Sequence, residues 1–178
     1  YTSFMDTERI EALVAAPLRE QLARIDRVDS IPALLRTVGE LEREGVGGLF
    51  GTYIEPDPGN PERYVVFIVQ SGLSLPDESY YRLENFAHTR TAFREYAATM
   101  LGLAGLTDAS DADRILALET EIASHHWDNV RSRDAVATYN LMSWDDVQAL
   151  VGVDLSPWLD AVAPGFQAGF AEINVNQP

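Results

Sequence analysis

The chain has 178 residues, no cysteine, and 28 acidic against 13 basic residues, for a net charge of −15 at pH 7. That length suits one domain or one large piece of a bigger one, and the lack of cysteine excludes disulfides and thiolate metal sites. The acidic balance argues against nucleic acid and anionic membrane surfaces, whose charge would repel it, and no apolar run has the length of a membrane span.

The first element reads as a helix from about Thr2 to Ala15, with Phe4, Ile10, Leu13 and Val14 as its apolar stripe and Asp6, Glu8 and Glu11 facing out. Tyr1 is no initiator and no basic leader precedes the pattern, so upstream sequence is expected to have been removed. Pro17 breaks this helix and can open the next, where Leu18, Leu22 and Ile25 recur at helical spacing. Asp29 or Ser30 caps a third helix that tolerates Pro32 early. Leu34, Leu35, Val38 and Leu41 are its expected core face, and Gly45, Gly47 and Gly48 end it.

Residues 49–54 and 64–70 are rich in Val, Ile, Phe and Tyr and predict an antiparallel β-hairpin. The stretch Glu55–Glu62 between them holds Pro56, Pro58 and Pro61 and reads as the hairpin loop, because no proline can donate to a ladder. Two roles stay open for the hairpin: a flap over one side of a helical core, or an exposed edge to which an extended peptide could add as a strand.

The segment Gly72–Tyr81, Gly-Leu-Ser-Leu-Pro-Asp-Glu-Ser-Tyr-Tyr, turns the chain from strand to helix. Gly72 permits backbone angles closed to other residues, and Leu73 and Leu75 alternate with Ser74 to point one way into a core. Pro76 keeps Leu75 extended, Asp77 can cap a helix from Glu78, and Tyr80 and Tyr81 fall in its first turn. A longer helix carries Phe86, Phe93, Tyr96, Ala97 and Met100. Gly102 and Gly105 interrupt it, and Thr107–Ser110 restarts it. The Asp111–Trp127 helix has Ile115, Leu118, Ile122 and Ala123 on one face, and Asn129–Asp134 is a polar break. Ser143 with Asp146 resembles a capping box, Ser156-Pro157-Trp158 starts a short last helix, and Ile173–Asn176 reads as a terminal strand. The fold class is therefore mainly α, a multi-helix lobe with a small hairpin, in one piece.

The chemical inventory is thin. A zincin needs H-E-x-x-H, two histidines one helical turn apart with a glutamate to activate water. The three histidines, His88, His125 and His126, do not fit that pattern, and adjacent His125 and His126 diverge on a helix. Glu121 with His125 and Glu84 with His88 have spacings that could share an ion, yet such pairs are common on solvated helices. No G-x-S-x-G elbow or phosphate loop is present. The densest polar wording is Arg131, Arg133 and Asp134 near Tyr139 and Asn140. Arg133 and Asn140 are candidates to face a substrate cavity and hold peptide backbone or carboxylate. Alternatively Asp134 caps a short helix, Arg133 bridges elements and Tyr139 packs. Trp127, Trp144 and Trp158 read as core anchors.

The Gly-Leu-x-Leu-Pro-x-x-x-Tyr-Tyr wording of 72–81 resembles a segment in the N-terminal half of the neprilysin family of zinc metallopeptidases. Further matches follow in register: Ser3-Phe4-Met5-Asp6, Pro17-Leu18 with Ile25, Leu49-Phe50 leading to Asp57 and Asn60, Leu118-Glu119 with Ile122-Ala123, Arg133-Asp134, Tyr139-Asn140, and Gln177-Pro178. The resemblance implies two largely helical lobes around a cavity. Zinc sits in the other lobe, on H-E-x-x-H and a downstream glutamate, and the lobe built from the N-terminal half restricts access to short peptides. It assigns this chain no catalytic residue, no metal ligand and no cofactor of its own. Zinc is expected in the full-length parent, with the C-terminal catalytic domain of the same polypeptide and peptide substrates as partners. Because animal members are braced by disulfides, a chain without cysteine resembles a bacterial type, cytoplasmic or secreted. The alternative from another class is a stand-alone acidic helical interaction module without enzymatic activity.

Overall fold

The computed structural model describes residues 2–106, 108 and 110–178, without the side chain of Thr2. The expected first helix is two: α1 (Thr2–Met5) and α2 (Thr7–Leu13). Asp6 separates them because its carboxylate accepts the Arg9 N–H at 3.1 Å and caps α2. Val14, at φ +47, ends α2, and a single 3₁₀ turn over Ala16–Leu18 leads into α3 (Arg19–Ile25). Ser30, not Asp29, caps α4 (Ile31–Arg43), and Gly45 at φ +88 follows it. The core face of α4 is Leu35, Val38 and Gly39; Leu34, expected there, is exposed.

The predicted hairpin is present and longer than its apolar runs: β1 (Phe50–Asp57) pairs antiparallel with β2 (Asn60–Gln70) around Pro58-Gly59. The three-proline loop is thus corrected. Pro56 lies within β1 opposite Tyr64, and Pro61 is the second residue of β2. Both are tolerated because β1 is the edge strand and because β2 acquires its second neighbour only at Val66. The register slips between Pro56 and Asp57, a local irregularity that blunts the edge.

After β2 come α5 (Ser79–Arg82), α6 (Ala87–Leu103) and α7 (Asp111–His125). Thr107 and Ala109, within the expected restart at 107–110, lie outside the described residues. Next are β3 (Leu141–Ser143), α8 (Trp144–Val151), α9 (Ser156–Val162) and β4 (Glu172–Val175). Ser143 caps α8 by accepting the Asp146 N–H at 3.2 Å, as its spacing with Asp146 predicts. The hairpin is therefore half of a four-stranded sheet in the order β1-β2-β4-β3, with β4 parallel to β2 and antiparallel to β3. Burial on both faces explains why Val65 to Ile68 is continuously apolar rather than alternating. On one face Val66, Ile68, Ile173 and Val175 meet Leu35 of α4, Val147 of α8, and Trp158 and Leu159 of α9. On the other, Tyr53 stacks on Phe67 at 4.9 Å between ring centres. Trp158 is fully buried, edge-on to Phe50 and Phe170. Among the described residues no helix is long and apolar enough to cross a membrane.

Candidate functional site

Where 72–81 crosses α7, the chain leaves β2 through Gly72 at φ +88, the left-handed conformation its sequence position predicts. Asp77 accepts the Ser79 N–H at 2.8 Å, but the helix begins at Ser79 rather than Glu78, so Glu78 and not Asp77 stands at its cap position. Tyr80 stacks on Phe86 with ring centres 4.0 Å apart. Tyr81 is buried. Its hydroxyl donates to Glu119 Oε2 and accepts the Leu75 N–H at 3.0 Å. Ser74 completes the network, donating its N–H to Oε2 at 3.0 Å and its hydroxyl to Oε1 at 2.7 Å. Burial, then the carboxylate beside it, pushes the Tyr81 phenol above its ordinary range.

Glu119 is the residue that reading the sequence missed. The expected apolar face of α7 included Leu118, which is exposed, whereas Ala112, Glu119 and Ala123 are buried. The signal was available: Glu119 lies four residues from both Ile115 and Ala123, so a helical stripe through those two must include it. A carboxylate inside an apolar stripe requires donors, and 72–81 supplies three.

Two clefts flank this junction. One of about 400 Å³ is lined by Glu78, Tyr81, Arg82, Thr120, Ser124 and His126. In it Arg82 pairs with Glu78 at 3.1 Å, and His126 Nε2 donates to the Ser71 carbonyl at 3.1 Å. Burial lowers the His126 pKa, against the opposing pull of that carbonyl. The other, about 390 Å³ and mostly apolar, lies between Ile68 and Val69 of β2, Ile122 of α7, Trp127, and Val147 and Leu150 of α8. Gln70 and Trp127 close one side through two reciprocal bonds of 2.8 and 3.0 Å.

Arg133 and Asn140 stand in different surroundings. Arg133 is exposed and ends a 3₁₀ turn whose first residue, Arg131, stacks 3.4 Å above the Trp127 ring. Asn140 is engaged internally: Nδ2 donates to the Ala137 and Val175 carbonyls at 2.8 and 3.1 Å, and its N–H donates to Asn174 Oδ1 at 2.7 Å. Asp134 accepts the Val136 and Ala137 N–H groups at 2.9 and 3.1 Å, but it opens a turn over 135–138 and not the short helix that one reading expected. The bridging expected of Arg133 is performed by Arg63, which pairs with Asp57 at 2.8 Å and Glu172 at 2.6 Å. Asp57 also accepts the Tyr139 hydroxyl at 2.7 Å and the Gly59 N–H at 2.8 Å. These bonds, Tyr139's foremost, hold its carboxyl below the usual range.

A catalytic zinc wants about three protein ligands with one position open, and the residues of this chain do not fit it. His125 is exposed beside Glu121 at 3.4 Å, while His126 turns inward to Ser71. His88 lies against Thr89 on α6. Among the described residues no three histidine or carboxylate side chains converge.

The family model described as peptidase family M13 matches residues 1–178. Zinc metalloprotease Zmp1 of Mycobacterium tuberculosis, solved in complex with an inhibitor, is similar at a TM-score of 0.92 and 40% identity, over 99% of this chain and 27% of that one. Its open state gives 0.90 at the same identity, over 99% and 28%. Endothelin-converting enzyme 1 of Cavia porcellus is 26% identical over 178 residues, covering 91% of this chain and 23% of that protein. The chain thus spans only 23% to 28% of the length of these relatives. It belongs to peptidase family M13, the neprilysin-like zinc metallopeptidases, as a bacterial-type N-terminal part.

Proposed function

We propose that this chain forms the cavity wall and size filter of a zinc-dependent endopeptidase acting on short peptides, with zinc held by the C-terminal catalytic domain of the same polypeptide. The observation that carries this reading is a family match over the whole chain in a sequence without H-E-x-x-H and without converging ligands among the described residues. A match of that extent also disfavours a stand-alone acidic module. Arg133 is assigned to the peptide, as an exposed guanidinium for its carboxylates. Asn140 positions it by tying the loop to β4.

The test is hydrolysis by the full polypeptide of a graded series, from short fluorogenic peptides to a folded protein. Cleavage confined to the short members is expected, with Arg133→Ala raising KM and leaving thermal stability unchanged. Equal cleavage of the folded protein contradicts the size-filter role.

A further inference from the structure

The stretch 128–140, which carries Arg133, is fastened at two places. At the first, Asp128 accepts the Val130 and Arg131 N–H groups, both at 2.8 Å, and the Arg131 guanidinium lies on the Trp127 ring. Trp127 is bound in turn to Gln70, the last residue of β2. At the second, Asn174 of β4 donates to the Thr138 carbonyl at 2.9 Å, and the Tyr139 hydroxyl donates to Asp57 beside the hairpin turn. Arg133 stands exposed between them.

The hairpin satisfies Asp57 without Tyr139. Asp57 is 1% exposed, and its carboxylate accepts the Gly59 N–H and the Arg63 Nε–H and Nη2–H, each at 2.8 Å, from within the hairpin. Three local donors meet the requirement of a buried carboxylate. The Tyr139 hydroxyl is the donor that reaches it from outside, so the consequence of that bond falls on 128–140 rather than on β1 and β2. Gly59 leaves room for it: a Cβ there would run into the Tyr139 hydroxyl.

We propose that Tyr139 and Asp57 are positioning residues for the peptide: their bond seats 128–140 on the hairpin turn and so fixes where Arg133 meets a peptide carboxylate. This deepens the function proposed above and rests on its assignment of Arg133. An exposed guanidinium gripping a carboxylate loses much of its gain to ordering, and a backbone already held in place lessens that cost.

The experiment measures KM and kcat of the full polypeptide, with Tm alongside. The substrates are a short fluorogenic peptide with a free C-terminal carboxylate and its amidated counterpart without acidic side chains. Arg133→Ala is expected to raise KM for the carboxylate peptide about five- to ten-fold. Tyr139→Phe is expected to raise it about three-fold with kcat held, the mark of lost binding rather than lost folded enzyme. Gly59→Ala, at a position outside the left-handed region, displaces the same hydroxyl from the hairpin side and is expected to match it. Neither moves KM for the amidated peptide, and Tyr139→Phe adds nothing in the Arg133→Ala background, because an absent guanidinium cannot be misplaced. A native KM in Tyr139→Phe overturns the proposal. So does a rise that persists on the amidated peptide or in the Arg133→Ala background, or a fall in kcat alone. The underlying assignment fails on a separate result, and the proposal with it: Arg133→Ala with native KM on the carboxylate peptide.

Discussion

Tyr81→Phe isolates the contribution of one hydroxyl to the junction between 72–81 and α7. Tyr81 is 5% exposed, so its O–H bond to the Glu119 carboxylate is charge-assisted and shielded, contributing about 1.5–3 kcal/mol. Removing it also orphans the Leu75 N–H, at about 1–3 kcal/mol, less whatever water restores to that half-exposed residue. A net loss of about 2–4 kcal/mol follows, or roughly 5–15 °C in Tm for a chain of this size. Tyr81→Ala adds about 3–5 kcal/mol for the ring, enough to unfold a chain whose total stability is about 5–15 kcal/mol. Urea melts of Tyr81→Phe, Glu119→Gln and the double variant close a cycle, with an expected coupling of about 1–3 kcal/mol. A Tyr81→Phe change within about 0.5 kcal/mol, the scale of an ordinary surface substitution, would refute the reasoning.

Three further outcomes are expected. A Cβ on Gly39 meets the Trp158 carbonyl at 2.6 Å and Val162 N at 3.1 Å, so Gly39→Ala pries α4 from α9 at about 1–3 kcal/mol; Gly72→Ala meets nothing nearer than 3.7 Å and loses only about 1–2 kcal/mol from its backbone angle. The carboxyl of Glu42, which accepts the Trp158 Nε1–H at 2.6 Å, is raised by burial. Its contribution is therefore fully present below its unfolded pKa of about 4.3 and is lost as pH rises through the folded value. Melts of Glu42→Gln should show an advantage over the native chain at pH 7 that shrinks toward pH 4, and a pH-independent difference contradicts this. In amide exchange, the amides that bond across the β1–β2 ladder should be protected up to Asp57 and again from Asn60; uniformly fast amides across Glu55–Glu62 would restore the longer loop.

Much of the fold is legible in the sequence because local chemistry and tertiary packing agree there. Ser30, Ser143 and Gly72 each specify a cap or turn that forms regardless of what lies far away. The apolar runs of β1 and β2 need only each other. What is not legible depends on distant partners. Pro56 reads as a loop residue until β1 is known to be an edge. β3 is three residues long and exists because β4, some thirty residues on, lies beside it. Leu34 and Leu118 fit an apolar period but fall on its outer margin, 43% and 61% exposed. At the candidate site, the bonding of Asp134 to the backbone just after it was readable from its neighbours, though it shapes a turn and not a helix. Arg63 in the bridging role was not, since its partner Glu172 lies 109 residues away.

The most direct test of the central claim is metal content and peptide turnover, measured on this chain and on the full polypeptide after exhaustive dialysis. The account predicts stoichiometric zinc and chelator-sensitive cleavage of a fluorogenic peptide for the full polypeptide, and neither for residues 1–178. Zinc held stoichiometrically by His88, His125 or His126 in this chain alone, with turnover that a chelator abolishes, would contradict it.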